Sequence, residues 1–223
     1  DTSWIAVGYL LAAAATTPLY GRFGDRFGRR DTLLFALGVF TLGSIACAAA
    51  QTLGTLAGAR VLQGLGAGGL MTLSQALIGE LVAPRERARF QGYFAALFSL
   101  ASIGGPLIGG LVVSQASWRW LFLVNLPLAA FAFWRLATLP EGKRVDSGAT
   151  HDFAGIFLFV GAIVGSLYWL SSAGHRFAWA STESAVLGGA SLALVAMLVV
   201  HERRHPHPFL PLRPVTGACR PSS

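Results

Sequence analysis

At 223 residues the chain is 54% hydrophobic against 12% charged, with a mean hydropathy of +0.59, which excludes an ordinary soluble domain and points to a lipid environment. Its formal net charge of +7 suggests a polyanionic partner, but the cations fall in short breaks between apolar stretches, where they orient a membrane protein, so nucleic acid is not an expected partner. Two cysteines, Cys47 inside an apolar stretch and Cys219 near the end, make no metal or redox spacing, and neither a cofactor nor a metal is expected.

Apolar windows of about 19 residues predict seven membrane-spanning helices, at 4–20, 32–50, 55–78, 90–114, 120–138, 153–171 and 184–200. The connections alternate in charge. Arg22, Arg26, Arg29 and Arg30 fall in the first, no cation in the second, Arg85, Arg87 and Arg89 in the third, and Arg119 alone in the fourth. Lys143 and Arg144 follow, with Arg135 close by, then Arg176 alone, then Arg203 and Arg204. Cytoplasmic connections collect Lys and Arg, so the first, third, fifth and last are expected inside. Trp4, Tyr20, Trp118, Trp120, Trp134 and Trp169 lie near the span ends, where amphipathic rings favour the headgroup level.

The first connection, Gly21 to Arg30, is read as a tight Gly-rich basic loop at a membrane face. Its residues Gly21, Asp25, Arg26, Gly28, Arg29 and Arg30 match the pattern Gly-x-x-x-Asp-Arg-x-Gly-Arg-Arg/Lys, which resembles the signature loop of the major facilitator superfamily. The resemblance implies a gating loop that latches two helical halves on the cytoplasmic side. A topogenic basic loop with no gating role is the alternative. Asp25 is an anion among cations, suited to charge-assisted hydrogen bonds from arginine.

Arg60 lies inside the third span and is followed by Gln63, Gly64, Gly66, Gly68 and Gly69. A guanidinium at that depth costs at least about 2.5 kcal/mol and should face a cavity or a partner. Arg60-x-x-Gln63-Gly64 resembles the family's second motif, which implies a part in proton coupling for Arg60 and Gln63. Because an arginine does not release its proton, the expected role is to tune a nearby carboxylate. A snorkelling arginine beside glycines that merely pack helices is the alternative.

In the fourth span, Gly92, Gly105, Pro106, Gly109 and Gly110 match the antiporter motif of an export-type subset of the superfamily, with Ala101 where that motif has glycine. The following Trp118-Arg119-Trp120, Phe122, Asn125 and Pro127 resemble the fourteen-span drug:proton antiporters, the EmrB/QacA-like group. Asn125 with Pro127 predicts an irregular helix start. Phe94, Phe98 and Asn125 are candidates for lining a substrate cavity. Asp152 is read as a charge at a helix N-terminus, and His201, His205 and His207 as part of a solvated tail.

The expected fold is therefore all-α, a polytopic transmembrane helical bundle. Residues 1–139 are assigned to spans two to six of an N-terminal half, 140–152 to a short cytoplasmic linker, 153–200 to an extra helix pair, and 201–223 to a cytoplasmic tail. One span is expected before Asp1 and a second half after the tail, so the chain is read as an incomplete transporter. The resemblance implies a proton-coupled multidrug antiporter of the bacterial inner membrane. It would act on apolar or cationic small molecules and protons, amid membrane lipid, with a periplasmic adaptor protein as a further partner. An exporter of a metabolite or siderophore and a non-transporting remnant are the alternatives. No hydrolase or phosphate-binding motif is present, and an enzyme is not expected.

Overall fold

The computed structural model describes residues 3–139 and 152–204, which form helices. In order these are α1 (Ser3–Phe27), α2 (Arg29–Ala49), α3 (Leu53–Leu81), α4 (Arg87–Gln115), α5 (Trp120–Leu123), α6 (Asn125–Ala137), α7 (Phe153–Ser172) and α8 (Thr182–Arg204). Counting α5 and α6 together, seven helical stretches are long and apolar enough to cross a membrane. That matches the number read from the sequence. The break between α5 and α6 falls at Val124, next to the expected irregular start at Asn125 and Pro127.

The chain divides into two compact units, one holding α1–α6 and the other α7 and α8. In the first unit, α3 packs against α1 on one side and α2 on the other. Lipid tails are as apolar as leucine, so helices in a bilayer gain little from burying aliphatic surface and associate instead through close backbone approach. The glycines of α3 supply that approach. A Cβ added at Gly64 would collide with the Tyr9 carbonyl and one at Gly68 with the Ala13 carbonyl, both on α1. One added at Gly66 would collide with the Phe40 amide on α2, and one at Gly69 would stand 2.7 Å from Tyr20 and 2.8 Å from Ala36. The hydroxyls of Thr16 and Thr17 lie 3.2 Å from the Leu65 and Gly68 carbonyls, adding polar contacts where the helices touch. Below them Tyr20, Leu33, Ala36, Leu73 and Leu77 close a small apolar core.

The stretch Gly21 to Arg30, expected as a loop, is helical except at Gly28. Helix α1 runs on to Phe27 and α2 begins at Arg29. A glycine inside a helix costs only roughly 1 kcal/mol relative to alanine, so Gly21 and Gly24 do not stop α1. The reversal is confined to Gly28, whose φ of 94° favours a residue without a Cβ.

Helix α7 starts at Asp152, whose carboxylate accepts the Gly155 amide at 2.8 Å. Helix α8 returns alongside it, with Trp169 hydrogen-bonded to Ser184 at 3.1 Å and packed on Gly188. His201 and Glu202, expected in a solvated tail, belong to the last turns of α8. His201 Nε2 lies 2.8 Å from Asp152 Oδ1, and Glu202 is buried. Apart from Asp152, the expected linker at 140–152 lies outside the described residues, as does the tail from His205 onward, including His207 and Cys219.

Packing at the α3 glycines gives a direct test. Gly66→Leu should destabilise the purified chain by about 1–3 kcal/mol or prevent its folding, the cost of overpacking a tight contact, whereas Gly105→Ala, with no neighbour in reach, should leave it unchanged. Thermal unfolding in detergent, followed by size-exclusion recovery, checks the contrast; equal melting of the two variants would contradict the packing account.

Candidate functional site

Arg60 enters from the second turn of α3, and its guanidinium is placed between aromatic rings. Its central carbon lies 4.9 Å from the ring centre of Tyr9 on α1 and 5.3 Å from that of Phe122 on α5. Away from water such cation–π contacts are worth about 2 kcal/mol each, comparable with the cost of the charge at depth. Nη1 donates to Gln63 Oε1 at 2.9 Å. Arginine has only donors, so this bond fixes the amide orientation of Gln63 and turns Nε2 toward Ser44 Oγ, 2.8 Å away on α2. The Ser44 hydroxyl donates in turn to the Phe40 carbonyl at 2.9 Å, and Asn125 Nδ2 of α6 lies 3.5 Å from Ser44 Oγ. Cys47 Sγ is 4.0 Å from Gln63 Oε1. The result is a polar chain, Arg60–Gln63–Ser44–Asn125, drawn from three helices and flanked by rings from two more.

Gln63 is only 2% exposed and Ser44 fully buried, so each is held in one orientation by its partners. Arg60 Nε is also buried and has no hydrogen-bond partner among the described residues. Among those residues no carboxylate is bonded to the chain's members. Arg60, Gln63, Ser44 and Asn125 do not exchange a proton near neutral pH. What they provide is a fixed positive charge with a rigid donor fork, able to hold an anionic or hydrogen-bond-accepting group.

A second cluster lies at the opposite end of the same helices. Arg29 Nη2 bonds Asp25 at 3.0 Å, its Nε is 3.3 Å from Glu80, and its Nη1 donates to the Ala76 carbonyl at 2.8 Å, so one side chain joins α1, α2 and α3. Arg30 turns the other way and caps the C-terminus of α6, donating to the Leu136 and Ala137 carbonyls at 2.9 and 2.8 Å. Those carbonyls lie in the last turn of α6, where the Leu136 carbonyl also accepts the Leu139 amide at 3.1 Å, and a cation there meets the negative end of the helix dipole. Arg119 does the same for α2 at the other face, through the Ala48 and Ala50 carbonyls at 3.0 and 3.1 Å. Arg26 lies over the Phe27 ring at 5.3 Å, and nothing described comes near a Cβ placed at Gly21.

The antiporter-motif residues Gly92, Gly105, Pro106, Gly109 and Gly110 all sit on α4, which continues unbroken through Pro106. No residue of α4 is buried, and no described atom lies within 4 Å of a Cβ built at any of its four motif glycines. Phe98 is 68% exposed on the same helix and Phe94 half-buried. The structure thus brings Gln63 and Asn125 together through Ser44, but does not gather Phe94 and Phe98 around them. Sequence reasoning missed Tyr9 and Phe122 as partners of Arg60 and Ser44 as the partner of Gln63. An isolated serine or tyrosine in an apolar span carries no local signal of what faces it on another helix.

Removing the acceptor for Arg60 should cost more than removing the end of the chain. Gln63→Leu leaves a buried cation short of a bond and should lower stability by about 1–3 kcal/mol. Asn125→Ala, losing one long contact, should cost well under half of that. Paired thermal melts decide the order, and the reverse order would mean that the chain is not organised around Arg60.

Residues 1–201 match the family model of the Major Facilitator Superfamily. Among curated relatives, a multidrug transporter protein, MdtP, of Bacillus subtilis is 34% identical over 212 residues, covering 94% of this chain and 39% of its own length. An efflux pump, dotC, of Dothistroma septosporum is 35% identical over 218 residues, 95% of this chain and 37% of its own. An MFS-type transporter, pydD, of an Acremonium species is 36% identical over 217 residues, 94% and 38%. The chain therefore spans less than two fifths of the length of these relatives. With seven apolar helices, a match covering nearly the whole chain and the motif residues in place, this protein belongs to the major facilitator superfamily.

Proposed function

We propose that the chain is part of a proton-coupled multidrug antiporter of the fourteen-span, EmrB/QacA-like group, acting in the bacterial inner membrane by alternating access between two helical halves. The observation that carries this reading is the buried chain from Arg60 through Gln63 and Ser44 to Asn125. A permanent charge held by aromatic rings at membrane depth is expensive, and intramembrane charges of this kind mark ion and substrate pathways. In this reading Arg60 lowers the proton affinity of a carboxylate supplied by the complete transporter, and substrate or proton arrival changes that pairing.

The relatives named as a multidrug transporter and an efflux pump support export. Asp25, Arg29 and Arg30 are assigned to the cytoplasmic latch, since their bonds tie four helix ends together. Gly105 and Pro106 with the other antiporter-motif glycines are assigned to closure, and α7 and α8 to the extra helix pair. Apolar or cationic small molecules are the proposed substrates, with Phe94, Phe98 and Asn125 as lining residues and a periplasmic adaptor as partner.

In the complete protein Arg60→Ala should abolish efflux of a fluorescent cationic dye driven by a proton gradient, while Arg60→Lys, which keeps the charge but loses the planar fork, should retain only part of it. Undiminished efflux by Arg60→Ala at normal membrane levels would remove Arg60 from coupling. A panel including sugars, siderophores and organic acids separates drug export from metabolite export.

A further inference from the structure

Arg119 has no part in the topology read from charge. It is the lone cation of a connection expected outside, whereas arginine collects in cytoplasmic connections. Besides its two bonds to the end of α2, its guanidinium carbon lies 4.8 Å from the ring centre of Trp118. The turn into α5 is bonded three residues back. The Trp120, Leu121 and Phe122 amides donate to the Ser117, Trp118 and Arg119 carbonyls at 3.0, 3.1 and 3.0 Å. In so tight a turn, residues three apart line up along the axis. Arg119, Phe122 and Asn125 have that spacing, and all three reach the Arg60 chain or the helix that carries it. Arg119 holds the last carbonyls of α2, Phe122 lies against the Arg60 guanidinium, and Asn125 lies at the Ser44 hydroxyl. The Trp118 ring meets that of Phe122 edge to face, with centres 6.0 Å apart.

A capping arginine and an aromatic pair each have ordinary structural explanations. Neither explains three contacts in register on one buried polar chain. We propose that Arg119 is a positioning residue for Arg60, acting through α5. Its fork fixes the start of α5 on α2 and thereby sets the Phe122 ring against the guanidinium. With Gln63 on Nη1, the buried Nε has no bond among the described residues, and it is the donor assigned to the carboxylate proposed above. This role rests on the proton-coupling reading of Arg60. The titratable groups near Arg60 are the Tyr9 phenol of α1 and the Cys47 thiol of α2, which ordinarily titrate above about pH 8. A firmly held Arg60 stabilises the ionised carboxylate and keeps its proton affinity low. A loosened one does so less, so coupling titrates at higher pH.

The readout is the midpoint of the pH profile of dye efflux by the complete protein in proteoliposomes, at a constant pH difference. Phe122→Leu should raise the midpoint by about half to one pH unit, a three- to tenfold rise in proton affinity. Phe122→Tyr, which keeps the ring, should restore it. Arg119→Gln should raise the midpoint in the same direction, and so should Arg119→Lys, which keeps the charge and loses the fork. The double variant Arg119→Gln with Phe122→Leu should match Phe122→Leu alone, since the first residue acts through the second. Unchanged midpoints in the single variants at normal membrane levels, or additive shifts in the double variant, overturn the proposal. Proton-driven efflux that survives Arg60→Ala overturns the coupling reading beneath it and the positioning role together.

Discussion

Close backbone approach of α3 to α1 and α2 is the constraint on which the first unit depends. Without a hydrophobic drive between helices in lipid, contact has to come from dispersion and short polar bonds, both of which require backbones near each other. Four glycines of α3 meet that need on two sides, Gly64 and Gly68 toward α1, Gly66 toward α2 and Gly69 toward both. The same approach sets the polar site. Gly43 of α2 lies against the backbone of Gln63, with a built Cβ 2.5 Å from the Gln63 amide nitrogen. Only at that separation does the Gln63 amide reach Ser44 on α2 while its oxygen receives Arg60. Packing and chemistry are thus two consequences of one spacing.

Arginine is used in two distinct ways in this unit. At depth, Arg60 is stabilised by ring faces and a single amide oxygen, an arrangement that spares a counter-charge among the described residues. At the membrane faces, Arg30 and Arg119 bind the open carbonyls of helix ends. There the guanidinium fork reaches two carbonyls at once, adjacent ones for Arg30 and ones two residues apart for Arg119, a geometry that lysine does not reproduce.

Most of the fold was legible because hydropathy over 19-residue windows senses the one property a bilayer enforces, the length of uninterrupted apolar helix. All seven spans were found, with ends displaced by a few residues where charged turns such as Arg22 to Phe27 and His201 to Arg204 continue the helix past the lipid. Helix continuation was illegible there because glycine and arginine are poor witnesses to conformation. The site was legible only in part. Arg60 and Gln63 declared themselves as polar residues three apart in an apolar span. Ser44 and Tyr9 did not, since their importance lies in the facing of α1 and α2 against α3, which depends on the glycine contacts and not on any local pattern. The Asp152–His201 contact was hidden for the same reason: its partners are 49 residues apart.

Arg30 has a further implication for how the protein is made. Its acceptors on α6 lie 106 and 107 residues later in the chain. At a synthesis rate of about 5–20 residues per second, the interval between their emergence is on the order of 5–20 s. Helix α3 ends at Leu81, about halfway through that interval, so the three-helix core can assemble while the α6 acceptors of Arg30 are still to come. A cation in that position holds α2 to its orientation during the wait. When α6 arrives, the same side chain becomes its docking point. One residue thus serves first as a topological anchor and then as the clasp that ends assembly of the unit.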